Sequence, residues 1–284
     1  MKNRRQIFML FGDPVEGSLS PPMFNAAFKS LGMNSLYIAV RVPPRFLAAA
    51  VAMARRLGVK GLNVTIPHKV AVMKYLDRLD KSARDVGAVN VVANVNGKLV
   101  GYNTDGAGAL AALEEEAGRV RGKRVVVVGA GGAARAIVHS LVTAGADVLV
   151  ANRTLEKAKV LAEIVRKATG RSIGVIPLEK KLLKETIAGA DILINATSVG
   201  MRPKVGQTIA TAEMLHPGLI VNDIVYKPLR TKLLREAEKA GARTVDGLGM
   251  LVNQAALAFK IWTKKDPPVE VMRRAAERAL EAGG

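Results

Sequence analysis

The run Arg124-Val125-Val126-Val127-Val128, leading straight into Gly129-Ala130-Gly131-Gly132-Ala133-Ala134, leaves this chain few folds to choose from. A short β-branched run is the pattern of a strand covered on both faces, as in parallel sheets. Beyond the glycines, Ala134, Ile137, Val138, Leu141 and Val142 recur at helical spacing. Strand, glycine turn and helix in that order form the G-x-G-x-x-A fingerprint of a dinucleotide-binding unit. Side chains there would keep a pyrophosphate from the N–H groups at the helix N-terminus, so Gly129, Ala130, Gly131, Gly132 and Ala133 are the expected cradle.

The following strand, Ala146 to Ala151, delivers Asn152-Arg153-Thr154 about twenty residues past the fingerprint, where NAD-binding folds place a carboxylate for the ribose 2′-hydroxyl. No carboxylate stands there. Arg153 offers a planar guanidinium to a 2′-phosphate, and Lys157, one helical turn on, adds positive charge. These residues favour NADP(H) over NAD. Thr154 also suits a helix N-cap, which uses its hydroxyl and leaves Arg153 available.

A second candidate site is Asn63-Val64-Thr65-Ile66-Pro67-His68-Lys69. A strand from Gly61 sends Asn63 and Thr65 to one face, and Pro67 stops its ladder. Lys69 then falls at the mouth of the cleft the strand opens into. Burial lowers the cost of a lysine's neutral form, so such a lysine can pass a proton near neutral pH. His68, one of three histidines, has no neighbouring ligands in sequence and reads as a loop residue rather than a catalyst or metal ligand.

At 284 residues with 49% hydrophobic content the chain can bury two cores. It lacks cysteine, which excludes disulfides and thiolate metal sites. The basic start and the apolar stretch from Gln6 to Phe11 resemble a secretory leader, but the stretch is short and Gly12-Asp13-Pro14 follows it. It reads instead as the first strand. No run approaches the ~20 apolar residues of a membrane span, and a cytoplasmic protein is expected. The 43 Lys+Arg against 24 Asp+Glu give a net charge of +19. That field attracts small anions and, equally, nucleic acid. Aromatics are only 4% and the basic residues are scattered, which argues for a solvated basic surface rather than a specific nucleic-acid site.

Periodicity predicts strands over 7–11, 35–40 and 61–66, with helices over 22–31, 44–57 and 70–79. A hairpin of 88–92 and 98–102 is expected around Asn96-Gly97. A charged segment, 114–123, leads into the dinucleotide domain, whose later strands are expected over 191–196 and 219–224. An apolar helix follows over 248–262, and a last amphipathic helix starts at Val269. The apolar helix can pack within its own chain or against a second copy, so a homodimer stays open.

Several separated motifs resemble those of the shikimate dehydrogenase family. They are Gly12-Asp13-Pro14 with Ser18-Leu19-Ser20-Pro21, the segment Asn63 to Lys69, and Gly87-Ala88-Val89-Asn90. Further on come Gly101-Tyr102-Asn103-Thr104-Asp105-Gly106, Gly129 to Ala134, Asn152-Arg153-Thr154, and Asp246 to Gln254. Together, in this order, they cover nearly the whole chain. The resemblance implies an α/β chain of two domains: an N-terminal α/β substrate domain (1–106), a Rossmann-type NADP-binding domain (107–247), and C-terminal helices (248–284) packing back on the first. The implied reaction is the reversible NADPH-dependent reduction of 3-dehydroshikimate to shikimate.

In the roles the resemblance implies, Ser18 and Ser20 take the substrate carboxylate, while Asn63, Thr65, Asn90, Asp105 and Gln254 serve the ring hydroxyls. Tyr226 also reaches the substrate. Lys69 is the expected proton donor and Asp105 its partner, whose charge favours the protonated lysine while desolvation disfavours it. Ile224, where relatives often carry methionine, and Gly247 would adjoin the nicotinamide, and Thr197 lies in a loop resembling the family's cofactor-side loop. Lys81 stands where some relatives carry an acidic residue and is left out of the site. Three other readings remain: a quinate/shikimate dehydrogenase using NAD, disfavoured by Arg153 and more weakly by Ser20; a non-catalytic ligand-binding homologue, disfavoured by Lys69 and Asp105; and a nucleic-acid-binding protein driven by the +19 charge, which specific binding that survives physiological salt would support.

Overall fold

The computed structural model describes residues 5–282; the basic start weighed above as a leader lies, up to residue 4, outside them. The chain forms two compact units, one running to Thr104 and resuming at Val252, the other spanning Asp105–Leu251.

In the first unit the elements run β1 (Gln6–Gly12), α1 (Ser20–Ser30), β2 (Ser35–Arg41), α2 (Leu47–Arg56), β3 (Gly61–Val64), β4 (Arg78–Leu79), α3 (Lys81–Val86), β5 (Val91–Val95) and β6 (Lys98–Tyr102). They build one six-stranded mixed sheet in the order β2-β1-β3-β5-β6-β4. Alternation sorts its two faces. Met9, Phe11, Leu62, Val64 and Val92 face the core under α2, whereas Phe8 joins α1 residues Phe24 and Phe28 in an aromatic cluster. The hairpin between β5 and β6 forms as expected, because Asn96 and Gly97 supply the positive φ angles its turn needs (52° and 86°).

Several boundaries differ from expectation. No α-helix covers 70–79: a short 3-10 turn, Ala71–Tyr75, gives way to edge strand β4. The reason is Asp77, whose N–H donates to Leu99 O (3.0 Å) while its carboxylate accepts from Leu99 N–H (2.6 Å) and Arg55 (3.0 Å). These bonds draw the chain to the sheet edge. The helix expected from Pro44 opens as a 3-10 turn and becomes α-helical only at Leu47. Strand β3 stops at Val64, although Thr65 N–H still donates to Phe11 O (2.8 Å). On the opposite side of Asn90, β5 starts at Val91 rather than at residue 88.

The second unit runs α4 (Asp105–Ala117), β7 (Arg124–Val128), α5 (Gly132–Ala144), β8 (Asp147–Asn152), α6 (Leu155–Thr169), β9 (Gly174–Pro177), α7 (Lys180–Ile187), β10 (Ile192–Asn195), β11 (Ile220–Asp223), α8 (Lys232–Lys239) and β12 (Arg243–Val245). Every pairing in its sheet is parallel, in the order β12-β11-β10-β7-β8-β9. Numbered within the unit this is the doubly wound order 3-2-1-4-5-6, whose ligand crevice opens at the carboxyl ends of the strands where the order reverses, between β7 and β10. Both sheet faces are covered by buried aliphatic clusters, as the unbroken valine run of β7 requires.

Helix α9 (Gly247–Thr263) contributes its residues from Val252 onward to the first unit, as does α10 (Val269–Ala282). Phe259 packs on Phe28, and Trp262 packs on Phe8 and Phe24 while its indole N–H donates to Val92 O (2.9 Å). This part of the apolar helix is therefore covered within its own unit.

Candidate active site

Five of the expected substrate-site residues meet in the first unit, at the carboxyl end of β3. Asn63 is buried, on the sheet face opposite Leu62 and Val64. Its carbonyl accepts from the Tyr37 hydroxyl (2.7 Å) and its amide donates to Asn90 O (3.2 Å). Tyr37 thus fixes which way the amide points. Asn90 in turn accepts from Thr104 N–H (2.8 Å) and donates to Thr104 Oγ1 (2.9 Å) and Gln254 Oε1 (3.3 Å). Thr104 Oγ1 donates to the Gln254 main-chain carbonyl (3.0 Å), closing a buried ring of three residues. Such a network fixes each member's orientation, because any rotation leaves a buried group unpaired. Thr65 leans over Gly12, where a Cβ would come within 2.9 Å of Val15 and collide with the threonine methyl. Lys69, half-buried, is anchored beside this group because its carbonyl accepts from Val89 N–H (2.7 Å).

Ser18 and Ser20 lie at the start of α1. Ser20 N–H donates to Ser18 Oγ (3.3 Å), and Pro21 and Pro22 occupy the next helical positions. Prolines bring no N–H, so the serine hydroxyls are the donors this helix end presents. His68 is a buried structural residue whose Nε2 lies 2.6 Å from Val42 O. Lys81 is engaged by Asp85, one helical turn on.

Asp105 and Tyr226 belong to the second unit. Asp105 is buried at the first position of α4, where the helix dipole favours a carboxylate. Tyr226, half-buried, follows the end of β11.

The dinucleotide fingerprint fits its ligand. Gly129 holds φ at 123°, and a Cβ there would stand 2.9 Å from Ala196 O, so the turn admits only glycine. A Cβ on Gly131 would meet nothing within 4 Å. Internal packing does not ask for glycine at that position, whereas close approach of a pyrophosphate does. Gly131 caps α5 without a side-chain bond, and Gly132 and Ala133 begin the helix, leaving its first N–H groups for an anion. At the end of β8 Asn152 donates to Thr154 O (2.8 Å), with Arg153 and Lys157 exposed beside it. Thr154 does occupy the cap position of α6, but its hydroxyl makes no capping bond.

Loops carrying Thr197 and Ile224 leave adjacent strand ends, since Asn195 and Asp223 are register partners. Gly247 lies against Ile224, where a Cβ would come within 2.6 Å of its carbonyl oxygen. Asp223 is wholly buried, and burial pushes its carboxyl up to about 6 against hydrogen bonds from Thr231, Val225 and Asn195 that favour the ionised form.

Sequence reasoning missed Tyr37 and Thr104, whose roles appear only through partners distant in sequence. It also passed over Arg135, a half-buried guanidinium in the first turn of α5 whose pKa is lowered by desolvation. A cation within the fingerprint was its available signal. A cavity of about 380 Å³ beside the hairpin, lined by Lys60, Asn94, Trp262 and Lys264, contains none of the expected site residues. Among the described residues no group of three or more His, Asp or Glu is placed to hold a metal ion, and no helix is long and apolar enough to cross a membrane.

Comparison with known proteins bears on the chain as a whole. Residues 10–92 match the family model of the shikimate dehydrogenase substrate binding domain, residues 111–216 that of shikimate / quinate 5-dehydrogenase, and residues 247–277 the shikimate 5′-dehydrogenase C-terminal domain. The chain is 52% identical over 269 residues to shikimate dehydrogenase (NADP(+)) of Methanopyrus kandleri, covering 94% of this chain and 93% of that protein. Among solved structures it superposes on a shikimate dehydrogenase in complex with NADP+ at a TM-score of 0.91 and 45% identity, covering 97% and 96% of the two chains. It also superposes on the Thermus thermophilus enzyme in complex with NADP(H) and shikimate, at 0.86 and 39% identity over 97% and 100%.

Proposed function

Because the chain belongs to the shikimate dehydrogenase family, we propose that it catalyses the reversible NADPH-dependent reduction of 3-dehydroshikimate to shikimate, in aromatic amino acid biosynthesis in the cytoplasm. The observation that carries this reading is a pair of sites in one chain. One unit has the buried Asn63, Asn90, Thr104 and Gln254 cluster beside Thr65 and Lys69. The other has a glycine cradle followed by Arg153 where a carboxylate would select NAD.

Shikimate carries one carboxylate and three ring hydroxyls. In this reading the hydroxyls of Ser18 and Ser20 take the carboxylate. Asn63, its carbonyl held by Tyr37, turns an amide N–H toward a ring hydroxyl. Thr65, Asn90, Asp105, Tyr226 and Gln254 pair the remaining polar groups. Each partner lost leaves a buried group unsatisfied at about 1–3 kcal/mol, so several modest bonds make a selective site. Gly129 to Ala133 hold the cofactor pyrophosphate, Arg153 and Lys157 the 2′-phosphate, Asn152 and Thr154 its surroundings, and Thr197, Ile224 and Gly247 the nicotinamide end.

When bound, NADPH supplies the hydride that reaches the carbonyl carbon. Lys69 gives its proton to the carbonyl oxygen as negative charge develops there, and in reverse takes the proton from the alcohol. Asp105, the expected partner of Lys69, accepts from a ring hydroxyl. Lys69→Ala should lower kcat by about 10²–10⁴-fold with a much smaller change in the shikimate dissociation constant. A loss confined to binding removes Lys69 from the proton-transfer role.

The reading is tested by following reduced-cofactor absorbance with shikimate or quinate, each with NADP+ or NAD+. Turnover confined to shikimate with NADP+ is expected. Turnover with quinate or NAD+ places the chain in the broader branch of the family, and silence in all four combinations rejects the activity.

A further inference from the structure

The dehydrogenase chemistry leaves one buried carboxylate without a task. Asp223 ends β11 and is 0% exposed, yet three donors from three different segments converge on it. Asn195, its register partner at the end of β10, donates Nδ2–H to Oδ1 (2.9 Å), and Val225 N–H donates to the same oxygen (3.0 Å). Thr231 donates its hydroxyl to Oδ2 (2.7 Å) and, as the cap of α8, accepts from Leu234 N–H (3.3 Å). Asn195 also grips the loop after its own strand. Its carbonyl accepts from Thr197 N–H (3.1 Å) and the Thr197 hydroxyl (2.7 Å), and its amide donates to Val199 O (3.1 Å).

One connected set of bonds therefore runs from the loop of Thr197, through Asn195 and Asp223, to the loop of Ile224, Val225 and Tyr226 and on to the cap of α8. Apolar residues at 195 and 223 would hold two strands together equally well. They would not fix the direction in which each loop leaves its strand. A side chain that accepts several hydrogen bonds and is tied to both loops does that.

We propose that Asp223 is a positioning residue, which through Asn195 and Thr231 sets the two loops bearing Thr197, Ile224 and Tyr226 in the arrangement that hydride transfer requires. The proposal rests on the reading of those three residues given under the proposed function. It places the effect at the nicotinamide end and leaves the adenosine end, held by the ends of β7 and β8, untouched.

The test compares full-length wild type, Asp223→Ala and Asp223→Asn for kcat and KM with shikimate and NADP+. It also compares dissociation constants for NADPH and for adenosine 2′,5′-bisphosphate, which carries only the adenosine half, with circular dichroism and thermal midpoints reporting the folded fraction. For folded Asp223→Ala, kcat/KM for shikimate is expected to fall about 10²-fold and NADPH to bind about tenfold more weakly. Bisphosphate affinity stays within about twofold. Asp223→Asn is expected to recover most of the loss, because its carbonyl can keep the Val225 and Asn195 donors while its amide faces Thr231 Oγ1. Activity that tracks the folded fraction, or equal weakening of both nucleotides, overturns the proposal. If Asp223→Ala does not fold, Thr231→Val decides: the same split in smaller measure supports the role, and wild-type constants overturn it. If the wild type turns over no shikimate, the proposed activity fails separately, and the NADPH-to-bisphosphate comparison still decides the loop role.

Discussion

Asp223 is held between opposing demands, and the balance has a pH signature. Burial disfavours its charge more than three hydrogen bonds restore it, leaving a folded-state value of about 6 against an ordinary 3.8. The folded chain therefore binds this proton more tightly than the unfolded chain. Below an ordinary carboxylate's range both states hold it and nothing is lost. Between about pH 4 and pH 6 ionisation erodes stability, and above that the deficit levels at about 3 kcal/mol. Asp223→Asn removes the titration. The variant should gain on wild type as pH rises from about 4.5 to about 7.5, by about 2 kcal/mol in urea unfolding. A pH-independent difference between the two proteins would refute the shifted carboxyl.

Helices α4 and α5 meet at Gly106, where a Cβ would collide with Ala136 O and Ser140 Oγ and lie 2.9 Å from the Ala136 carbonyl carbon. Alanine is the better helix former by about 1 kcal/mol, yet overpacking a backbone contact of this kind costs about 1–3 kcal/mol. Gly106→Ala should therefore lower the thermal midpoint, and a raised midpoint would mean that the helices separate freely. This contact shows why some elements are legible in a sequence and others are not. The valine strand, the glycine turn after it and the Asn96-Gly97 turn are written in adjacent residues and form where expected, although the strand before Asn96 runs over Val91–Val95 rather than 88–92. The 70–79 segment carries a helical pattern that Asp77 overrules through Leu99, a partner twenty-two positions away. Asn195, Asp223 and Thr231 give no local sign of belonging together, because only the sheet order β11-β10 makes the first two neighbours. Lys69 is read from its place after a strand and Pro67, and Asn90 and Gln254 from family motifs, whereas Tyr37 and Thr104 stand behind the buried cluster and lack the side-chain chemistry that draws the eye to a lysine.

A chain of net charge +19 surrounds itself with anions, and both the expected cofactor and the expected substrate are anionic. Raising ionic strength from about 0.05 M to about 0.5 M shortens the screening length from about 13 Å to about 4 Å. KM values for NADP+ and shikimate should rise several-fold over that range, with kcat less affected, in initial-rate assays. Constant KM values would mean that the basic surface does not steer ligands. The same salt should abolish any retention on nucleic acid, as expected of counterion release without base recognition. The order of the segments has a further consequence during synthesis. The first unit is interrupted at Thr104 and resumes only at Val252, and Phe259 and Trp262 of α9 complete the aromatic cluster begun by Phe8, Phe24 and Phe28. A ribosome adding about 5–20 residues per second thus delivers this sheet early and its cover late. The intervening unit is continuous and has all its strands in hand while the first still waits with those phenylalanines uncovered on the side that α9 fills. Nascent chains stalled in that interval are where a chaperone that reads aromatic surface would find its client.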